Sequence, residues 1–475
     1  MNYKWEMTIG IECHVQLATK TKLFSPADND ARDREPNTTV HPIDFGLPGM
    51  LPVLNWHAVE LAMKAGKALN SEIAEVSRFD RKHYFYPDLP KGYQTTQMYE
   101  PIILAGYIDI PLEGGVSKRV RIHHAHLEED AGKLTHFGDY SLVDLNRAGT
   151  PLIEVVSEPD IHSPAEARAY ANELYLLMTY AGVTLGDLYH GNMRFDVNIS
   201  VAPKGSIELG KRAEVKNLNS FRSIEKAVEY EFKRQVELLE RGERVVQETR
   251  GWNDDKQITT SQRSKEDAQD YRYMPDADIP PIVLTKEEVA KVQESVGKLP
   301  PEYRSEFTNL GVDESVVNGL LSHQSYARLV SEVLAKNQKA ARRVANWIAS
   351  SLNSDEVGVA EATVSVGDLL DLAEMVEKAE ITSNAASEIF NDLMRGSKNP
   401  RKLAEEKNLL QVSDEDEISR IVDSVLADGS SKKAVSDIMA GNDKAIGFLV
   451  GQVMKLSKGK ANPGMAQKMI REKLK

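Results

Sequence analysis

The chain has 475 residues, of which 41% are apolar and 28% are charged, as is typical of globular proteins. A chain of this length is too long to fold around a single hydrophobic core, so roughly two to four domains are predicted. A net charge of −13 excludes a protein that coats nucleic acid with its whole surface, and without a run of about 18 apolar residues no membrane-spanning helix is predicted. Cys13 is the single cysteine, which excludes an intrachain disulfide. Residues 1–6 resemble neither a secretory leader nor a transit segment, so we expect a cytoplasmic protein.

The first predicted element is a strand over residues 7–17, in which apolar and polar residues alternate. Ile11 and Cys13 belong to the apolar row, whereas Glu12 and His14 belong to the polar row. Side chains two positions apart on a strand point the same way, roughly 7 Å apart, so a carboxylate and an imidazole are expected side by side. The apolar row fixes the register of the strand. This pattern indicates a surface that handles a metal ion and phosphate.

Further strands are predicted as far as residue 290, at 107–111, 120–125, 142–146, 152–156, 194–200 and 213–218. Helices are predicted at 57–69, 164–180 and 222–241, the second beginning with Ser163 as N-cap and Pro164 in the first turn. This mixture indicates an α+β fold around mainly antiparallel strands. From residue 299 onward the pattern is almost entirely helical, with connections at 353–363 and 395–400.

Two stretches are the predicted links between domains. The proline-rich stretch 275–281 is poor in helix-forming residues, and the stretch 410–416 precedes the last helical segment. We therefore expect a mainly β domain over 1–292, an all-α domain over 293–408 and a small all-α tail over 409–475.

The predicted tail differs from the rest of the chain in charge. Between Ser431 and Lys475 there are ten basic and three acidic residues, so this end carries +7 and the remainder −20. A basic end on an acidic body indicates a localised contact with a polyanion, and a solvated basic helix is the alternative.

The densest acidic run is 126–133, which contains Glu128, Glu129 and Asp130 followed by Gly132 and Lys133. One interpretation is a solvated loop. The other is a Mg²⁺ site beside a phosphate contact, because Mg²⁺ prefers hard oxygen ligands and often bridges carboxylates to nucleotide phosphates.

Glu154 is a second candidate, because it lies inside the otherwise apolar run 152–156. Charges are rarely buried unless they are paired or bound to a metal, so either a functional role or a structural ion pair explains it. In 194–200, Phe195 and Val197 point inward, whereas Arg194 and Asp196 share the other face.

Two further stretches combine cations with turn or aromatic residues. Residues 80–88 contain Arg81 and Lys82 among aromatic residues and form either a phosphate clamp or a strand-to-turn segment, and Arg147 precedes the turn at Gly149. The sequence contains no phosphate-binding loop, protein-kinase signature, nucleophile elbow or Cys-x-x-Cys pair. His123, His124 and His126 lack the spacing typical of a zinc site.

Long ordered motifs along the whole chain closely resemble the family of aspartyl/glutamyl-tRNA(Asn/Gln) amidotransferase B subunits. The matching stretches are 9–17, 46–55, 79–88, 127–133, 144–154, 194–200, 216–221, 270–273 and 447–454. The resemblance implies a cradle-shaped amino-terminal domain that phosphorylates tRNA-bound glutamate or aspartate with ATP, followed by a helical domain and a tail domain that bind tRNA.

The resemblance also implies roles for single residues. His14, Glu129 and Glu154 are the expected Mg²⁺ ligands, and Glu12, Glu128 and Asp196 are expected to line the same catalytic site. From their charge, we further expect Arg81, Lys82, Lys133 and Arg147 to contact ATP phosphate, and Lys455, Lys458 and Lys460 to contact tRNA.

Partners and cofactors follow from the same resemblance. We expect a heterotrimer with a glutaminase A subunit and a small C subunit in a bacterial cytoplasm, acting on Glu-tRNA(Gln), Asp-tRNA(Asn) or both. Many relatives carry two cysteine pairs for zinc near the amino terminus. Here the equivalent stretches, 24–26 and 41–44, contain no cysteine, so structural zinc is not expected.

Two rival functions remain compatible with the residues alone. A metal-dependent hydrolase would use the acids and His14 to activate water without any need for ATP. A non-catalytic tRNA adaptor would leave the carboxylate face merely solvated.

Overall fold

The computed structural model describes residues 4–264, 270–352, 364–397, 399–411, 415–439, 442–457 and 461–474. The chain divides into an amino-terminal unit, Met1–Pro300, and a carboxy-terminal unit, Pro301–Lys475.

All the strands of the described residues belong to the amino-terminal unit. They are β1 (Trp5–Gln16), β2 (Val76–Ser77), β3 (Asp80–His83), β4 (Tyr93–Thr96), β5 (Gly106–Leu112), β6 (Val116–Glu129), β7 (Lys133–Phe137), β8 (Tyr140–Asp144), β9 (Pro151–Ser157), β10 (Met193–Pro203), β11 (Ala213–Leu218), β12 (Glu248–Asn253), β13 (Ile258–Ser264), β14 (Met274–Pro275) and β15 (Ile282–Val283).

Eight of these strands form one sheet in the order β13-β12-β11-β10-β1-β9-β6-β5. Neighbouring strands are antiparallel except for the parallel pair β11 and β12. The smaller sheets have the orders β14-β3-β4, β15-β2 and β7-β8. β1 lies near the centre of the large sheet, which places the polar row predicted from its sequence beside polar residues of both neighbouring strands.

Among its described residues, the amino-terminal unit contains four complete α-helices: α1 (Trp56–Ala68), α2 (Pro164–Tyr180), α3 (Phe221–Glu240) and α4 (Lys286–Glu294). The side chain of Ser163 caps α2 by accepting a hydrogen bond from the backbone N of Glu166. Helix α1 contacts β6, α2 contacts β5, and α3 contacts β10, so helices cover the apolar face of the large sheet. Ile11, Cys13 and Val15 of β1 are buried in this core.

Helices are the main elements of the carboxy-terminal unit, and none of the strands given above lies among its described residues. Its helices are α5 (Pro300–Phe307), α6 (Glu314–Leu321), α7 (Gln324–Leu334), α8 (Gln338–Leu352), α9 (Val366–Glu377), α10 (Ser383–Met394), α11 (Pro400–Glu406), α12 (Glu415–Ala427), α13 (Lys432–Met439), α14 (Ile446–Leu456) and α15 (Pro463–Lys473). Ile418 of α12, Leu449 of α14 and Ile470 of α15 are fully buried in one shared core.

The predicted α+β fold class, with an antiparallel β part followed by helices, is confirmed. The helix predicted at 164–180 matches α2, and the strand predicted at 213–218 matches β11. The chain divides at Pro300, and the finer boundaries at residues 292 and 408 stay predictions. Among the described residues, none of the helices combines the length and the apolar character needed to cross a bilayer.

Candidate active site

The central strands bring an imidazole and two carboxylates together on the polar face of the large sheet. His14 of β1 lies opposite Glu154 of β9, which in turn lies opposite His126 of β6. The Nε2 atom of His14 lies 3.5 Å from Oε1 of Glu128 and 3.6 Å from Oε2 of Glu154. We call His14, Glu128 and Glu154 the His14 cluster; each offers a donor atom, and these atoms all lie within 4.8 Å of one another.

Burial differs across the His14 cluster. The side chain of Glu128 is 3% exposed, whereas those of Glu154 and His14 are 16% and 22% exposed. Burial opposes ionisation of Glu128, but the adjacent imidazoles of His126 and His14 and the ammonium of Lys82 outweigh it and hold its pKa below the usual range. Glu128 is therefore ionised at neutral pH and available as a metal ligand.

A second acidic group lies next to the first on the same face. Glu12 of β1, Asp196 of β10 and Glu214 of β11 also have donor atoms within 4.8 Å of one another, and we call them the Glu12 cluster. Nζ of Lys216 lies 2.5 Å from Asp196 and 3.0 Å from Glu214, so it neutralises part of their charge. Asn198 donates a hydrogen bond of 3.0 Å to Oε1 of Glu12.

Glu12 differs from Glu128 in its electrostatic surroundings. Burial raises the pKa of Glu12, and the nearby carboxylates of Glu154, Glu214 and Asp196 raise it further, with Lys216 opposing. A carboxyl group with a raised pKa is better suited to accept a proton near neutral pH than an ordinary glutamate.

Two cavities open onto this polar face. One, of about 490 Å³, is lined by His126, Glu128 and Glu154 together with Lys82, Tyr99 and Tyr273. The other, of about 640 Å³, is lined by Glu12 together with Asn198, Ser200, Lys211 and Arg212. The first cavity therefore combines two carboxylates with Lys82, and the second combines one carboxylate with Lys211 and Arg212, which suits a charged phosphate-bearing ligand better than an apolar one.

Glu129 does not join the His14 cluster. Its carboxylate forms an ion pair with Lys91 and accepts a hydrogen bond of 2.9 Å from the backbone N of Thr95. Side chains of consecutive strand residues point to opposite sides, so Glu128 and Glu129 cannot both face His14. In the structure it is Glu128, and not Glu129, that contacts His14, so the role of Glu129 as a Mg²⁺ ligand stays a prediction.

The four residues predicted to contact ATP phosphate have different surroundings in the structure. Lys82 lines the 490 Å³ cavity, and its ammonium lies 5.0 Å from the ring centre of Tyr271. Arg81 instead forms ion pairs with Asp276 at 2.8 Å and Asp278 at 2.7 Å.

The other two contacts follow the acidic run. Arg147 donates to the carbonyl oxygens of Ala131 and Gly132, and Lys133 is exposed at the start of β7. The structure thus brings only Lys82 of the four to the cavity of the His14 cluster, and the proposed phosphate roles of Arg81, Lys133 and Arg147 gain no support from it.

The predicted tRNA contacts lie near the end of α14. Lys455 is exposed in the last turn of that helix, whereas Lys458 and Lys460 lie outside the described residues.

A buried ion pair lies next to the cysteine-free stretch 24–26 and within the second such stretch, 41–44. Nζ of Lys22, which is fully buried, lies 3.2 Å from Oδ2 of Asp44, and the same oxygen accepts a hydrogen bond of 2.9 Å from the backbone N of His41. This pair joins the segment after β1 to the loop at residues 41–44.

The His14 cluster fits a Mg²⁺ ion. Its two carboxylates supply hard oxygen ligands, and its partly exposed side leaves room for the waters and phosphate oxygens that Mg²⁺ retains. Sequence reasoning included His126 in the acidic run without giving it a role in the predicted site, and it missed Lys91, which contacts Glu129 from a loop. The signal for His126 was its position two residues before Glu128 on one strand, which places both side chains on the same face.

Comparisons with known proteins agree along the whole chain. A family model described as the GatB/GatE catalytic domain matches residues 7–290, and a model described as the GatB domain matches residues 325–474. A protein of Persephonella marina is 43% identical over 99% of this chain and 100% of its own length, and one of Halorhodospira halophila is 45% identical over 99% of both. Both carry the name of the B subunit of an aspartyl/glutamyl-tRNA(Asn/Gln) amidotransferase.

Proposed function

Because this chain belongs to the family of aspartyl/glutamyl-tRNA(Asn/Gln) amidotransferase B subunits, we propose that its polar sheet face phosphorylates and then amidates a tRNA-bound acidic side chain. The substrates are Glu-tRNA(Gln), Asp-tRNA(Asn) or both, and ATP is the phosphoryl donor. The observation that supports this most directly is that Glu128 and Glu154 of the His14 cluster line an open cavity together with Lys82. Ammonia comes from a partner glutaminase A subunit in a heterotrimer with a small C subunit, in a bacterial cytoplasm.

The reaction needs activation because a carboxylate is a poor electrophile. A side-chain oxygen of the aminoacyl group attacks the γ-phosphorus of ATP, the bond from that phosphorus to the β-phosphate oxygen breaks, and ADP leaves. Ammonia then attacks the carbonyl carbon of the acyl phosphate, the carbon–oxygen bond to phosphate breaks, and the departing phosphate takes up the proton that the nitrogen loses as the amide forms. Phosphoryl transfer depends mainly on positioning and on neutralising charge.

The metal ligands would be His14, Glu128 and Glu154. A Mg²⁺ ion bound there would neutralise part of the negative charge on the phosphate groups of ATP. Glu129, which the resemblance includes in the ligand set, holds Lys91 instead. Lys82 lines the same cavity, and Glu128 and Glu154 outweigh the effect of its burial and raise its pKa, so it presents a cation to an anionic ligand.

The Glu12 cluster is proposed to serve the second half of the reaction. Glu12 accepts the proton that ammonium must lose before nitrogen can attack a carbonyl carbon. Its position favours this role, because it lines a cavity of its own next to the His14 cluster and is held by Asn198. Asp196, tied to Lys216, orients that lysine toward the same face.

Amidation of purified Glu-tRNA(Gln) and Asp-tRNA(Asn) by the complex tests this function, with ammonium as donor and with or without ATP. Amide formation that requires ATP supports the proposal. Release of free glutamate or aspartate without ATP would indicate a metal-dependent hydrolase instead. Retained amidation with Glu128→Gln and Glu154→Gln together would indicate that the carboxylate face is only solvated.

A further inference from the structure

A second imidazole, that of His126, lies beside the carboxylates of the His14 cluster. His126 lies on β6 with its side chain 9% exposed, and its Nε2 atom lies 3.7 Å from Oε2 of Glu128 and 3.5 Å from Oε2 of Glu154. It therefore contacts both carboxylates that the proposed function assigns to the metal. His126 and His14 lie on β6 and β1, which pair with β9 on its two sides.

The two histidines contact different atoms of Glu128. His14 approaches Oε1, whereas His126 approaches Oε2, so the carboxylate of Glu128 is held between two imidazoles with one oxygen directed to each. Glu154 offers the same oxygen, Oε2, to both rings. His126 thus adds a contact to Oε2 of each carboxylate beside the contacts that His14 makes.

Burial separates the roles of the two rings. The side chain of His14 is 22% exposed and that of His126 is 9% exposed, although His126 also lines the 490 Å³ cavity with Glu128 and Glu154. His126 is buried, and its Nδ1 atom has no hydrogen-bond partner among the described residues. The ring stacks on His124, with centroids 5.2 Å apart and planes inclined by 17°, which fixes its orientation.

We propose that His126 is a positioning residue that holds Glu128 and Glu154 in the orientation required to bind a divalent cation. It acts through those carboxylates and does not itself bind the ion. Groups that orient metal-binding side chains commonly change metal affinity about 10–100-fold when they are replaced. The inference rests on the proposed function, because it concerns the same metal site.

Mn²⁺ binding to the nucleotide-free full-length chain, measured by electron paramagnetic resonance of the free ion, tests this role. The amide of Gln reaches the position of Nε2, whereas the amide of Asn reaches only that of Nδ1. We expect His126→Asn to weaken Mn²⁺ binding by about 10–100-fold and His126→Gln to restore it to within about threefold of the unmodified protein. The matched control is His57→Gln, since His57 also contacts a carboxylate, Glu60 at 2.9 Å, outside the site.

Nitrogen coupling to bound Mn²⁺, measured by electron spin echo modulation, separates positioning from direct ligation. We expect the imidazole signal to persist in His126→Gln and to disappear in His14→Gln. Loss of that signal in His126→Gln would make His126 a ligand and overturn the proposal. Unchanged Mn²⁺ affinity in His126→Asn would make it a packing residue.

Two further outcomes are decided by the same measurements. If His126→Asn fails to fold, the unmodified protein and His126→Gln still decide through their affinity and nitrogen coupling. If the unmodified protein binds no Mn²⁺, the metal site of the proposed function fails and the inference fails with it. If the unmodified protein binds Mn²⁺ and His126→Asn binds it with the same affinity, the positioning role of His126 is overturned while the proposed function stands.

Discussion

The carboxylates of the consecutive residues Glu128 and Glu129 are held by different neighbours. Glu128 faces His14 at 3.5 Å, whereas Glu129 forms an ion pair with Lys91. Of these two adjacent acids at the end of β6, only Glu128 contacts His14 in the structure.

This difference predicts opposite responses to two matched substitutions. Glu128→Gln should raise the Mg²⁺ concentration for half-maximal ATP-dependent amidation by at least about tenfold, because an ionised ligand is lost. Glu129→Gln should leave that concentration within about threefold of the unmodified protein, whatever its effect on the maximal rate. A larger effect from Glu129→Gln would support the ligand set implied by resemblance instead.

Glu12→Gln should separate the two halves of the reaction. The substitution preserves size and a hydrogen-bonding group for Asn198 but removes the proton acceptor, so amidation from ammonium should fall by about a hundredfold. ATP-dependent phosphorylation of Glu-tRNA(Gln) without ammonia should remain within about threefold. Glu6→Gln, on the same face of β1, is the control, and intact amidation in Glu12→Gln would exclude the proposed base.

The buried pair Lys22–Asp44 should stabilise the amino-terminal unit through its pairing. Lys22→Met leaves a buried carboxylate without its cation and should lower the free energy of unfolding by about 3–5 kcal/mol. Lys22→Met combined with Asp44→Asn should lose less than Lys22→Met alone, because no uncompensated charge remains.

Tryptophan fluorescence can measure this loss of stability in the amino-terminal unit specifically. In a Trp347→Phe background, the three remaining tryptophans, Trp5, Trp56 and Trp252, all lie in the amino-terminal unit. The control is Arg32→Met, which breaks an exposed pair with Asp30 and should cost less than about 1 kcal/mol. Equal losses from Lys22→Met and Arg32→Met would show that burial of the pair is unimportant.

Replacement of Lys455, Lys458 and Lys460 by Gln should weaken tRNA binding. Phosphate contacts dominate such binding, so the slope of log affinity against log salt concentration should also become shallower, by about 0.7–0.9 for each phosphate that is no longer neutralised. ATP hydrolysis should be unaffected. The matched control neutralises three lysines of the amino-terminal unit, Lys286, Lys291 and Lys298, and unchanged tRNA affinity in the first variant would reject the assignment.

Much of the fold could be predicted from local patterns. Alternation placed Glu12 and His14 on one face of β1 and Phe195 and Val197 on the buried face of β10, because the period of a strand is two. The N-cap Ser163 located the start of α2 in the same way.

Other parts of the site depend on register between distant strands. His126 reaches Glu154 because β6 pairs with β9, and an irregularity between Ile122 and His124 shifts that register. No local pattern determines such a shift. Lys91 reaches Glu129 from a loop, where the sequence has no period that would indicate the direction of a side chain.

Transfer of ¹⁸O tests the central claim most directly, using Glu-tRNA(Gln) labelled in both side-chain carboxylate oxygens, ATP, ammonium and the complete complex. Phosphorylation of the carboxylate predicts that each amide formed yields one inorganic phosphate carrying one labelled oxygen, and that Glu128→Gln slows labelled phosphate and amide together. Unlabelled phosphate alongside amide formation would contradict an acyl phosphate made on this face of the sheet.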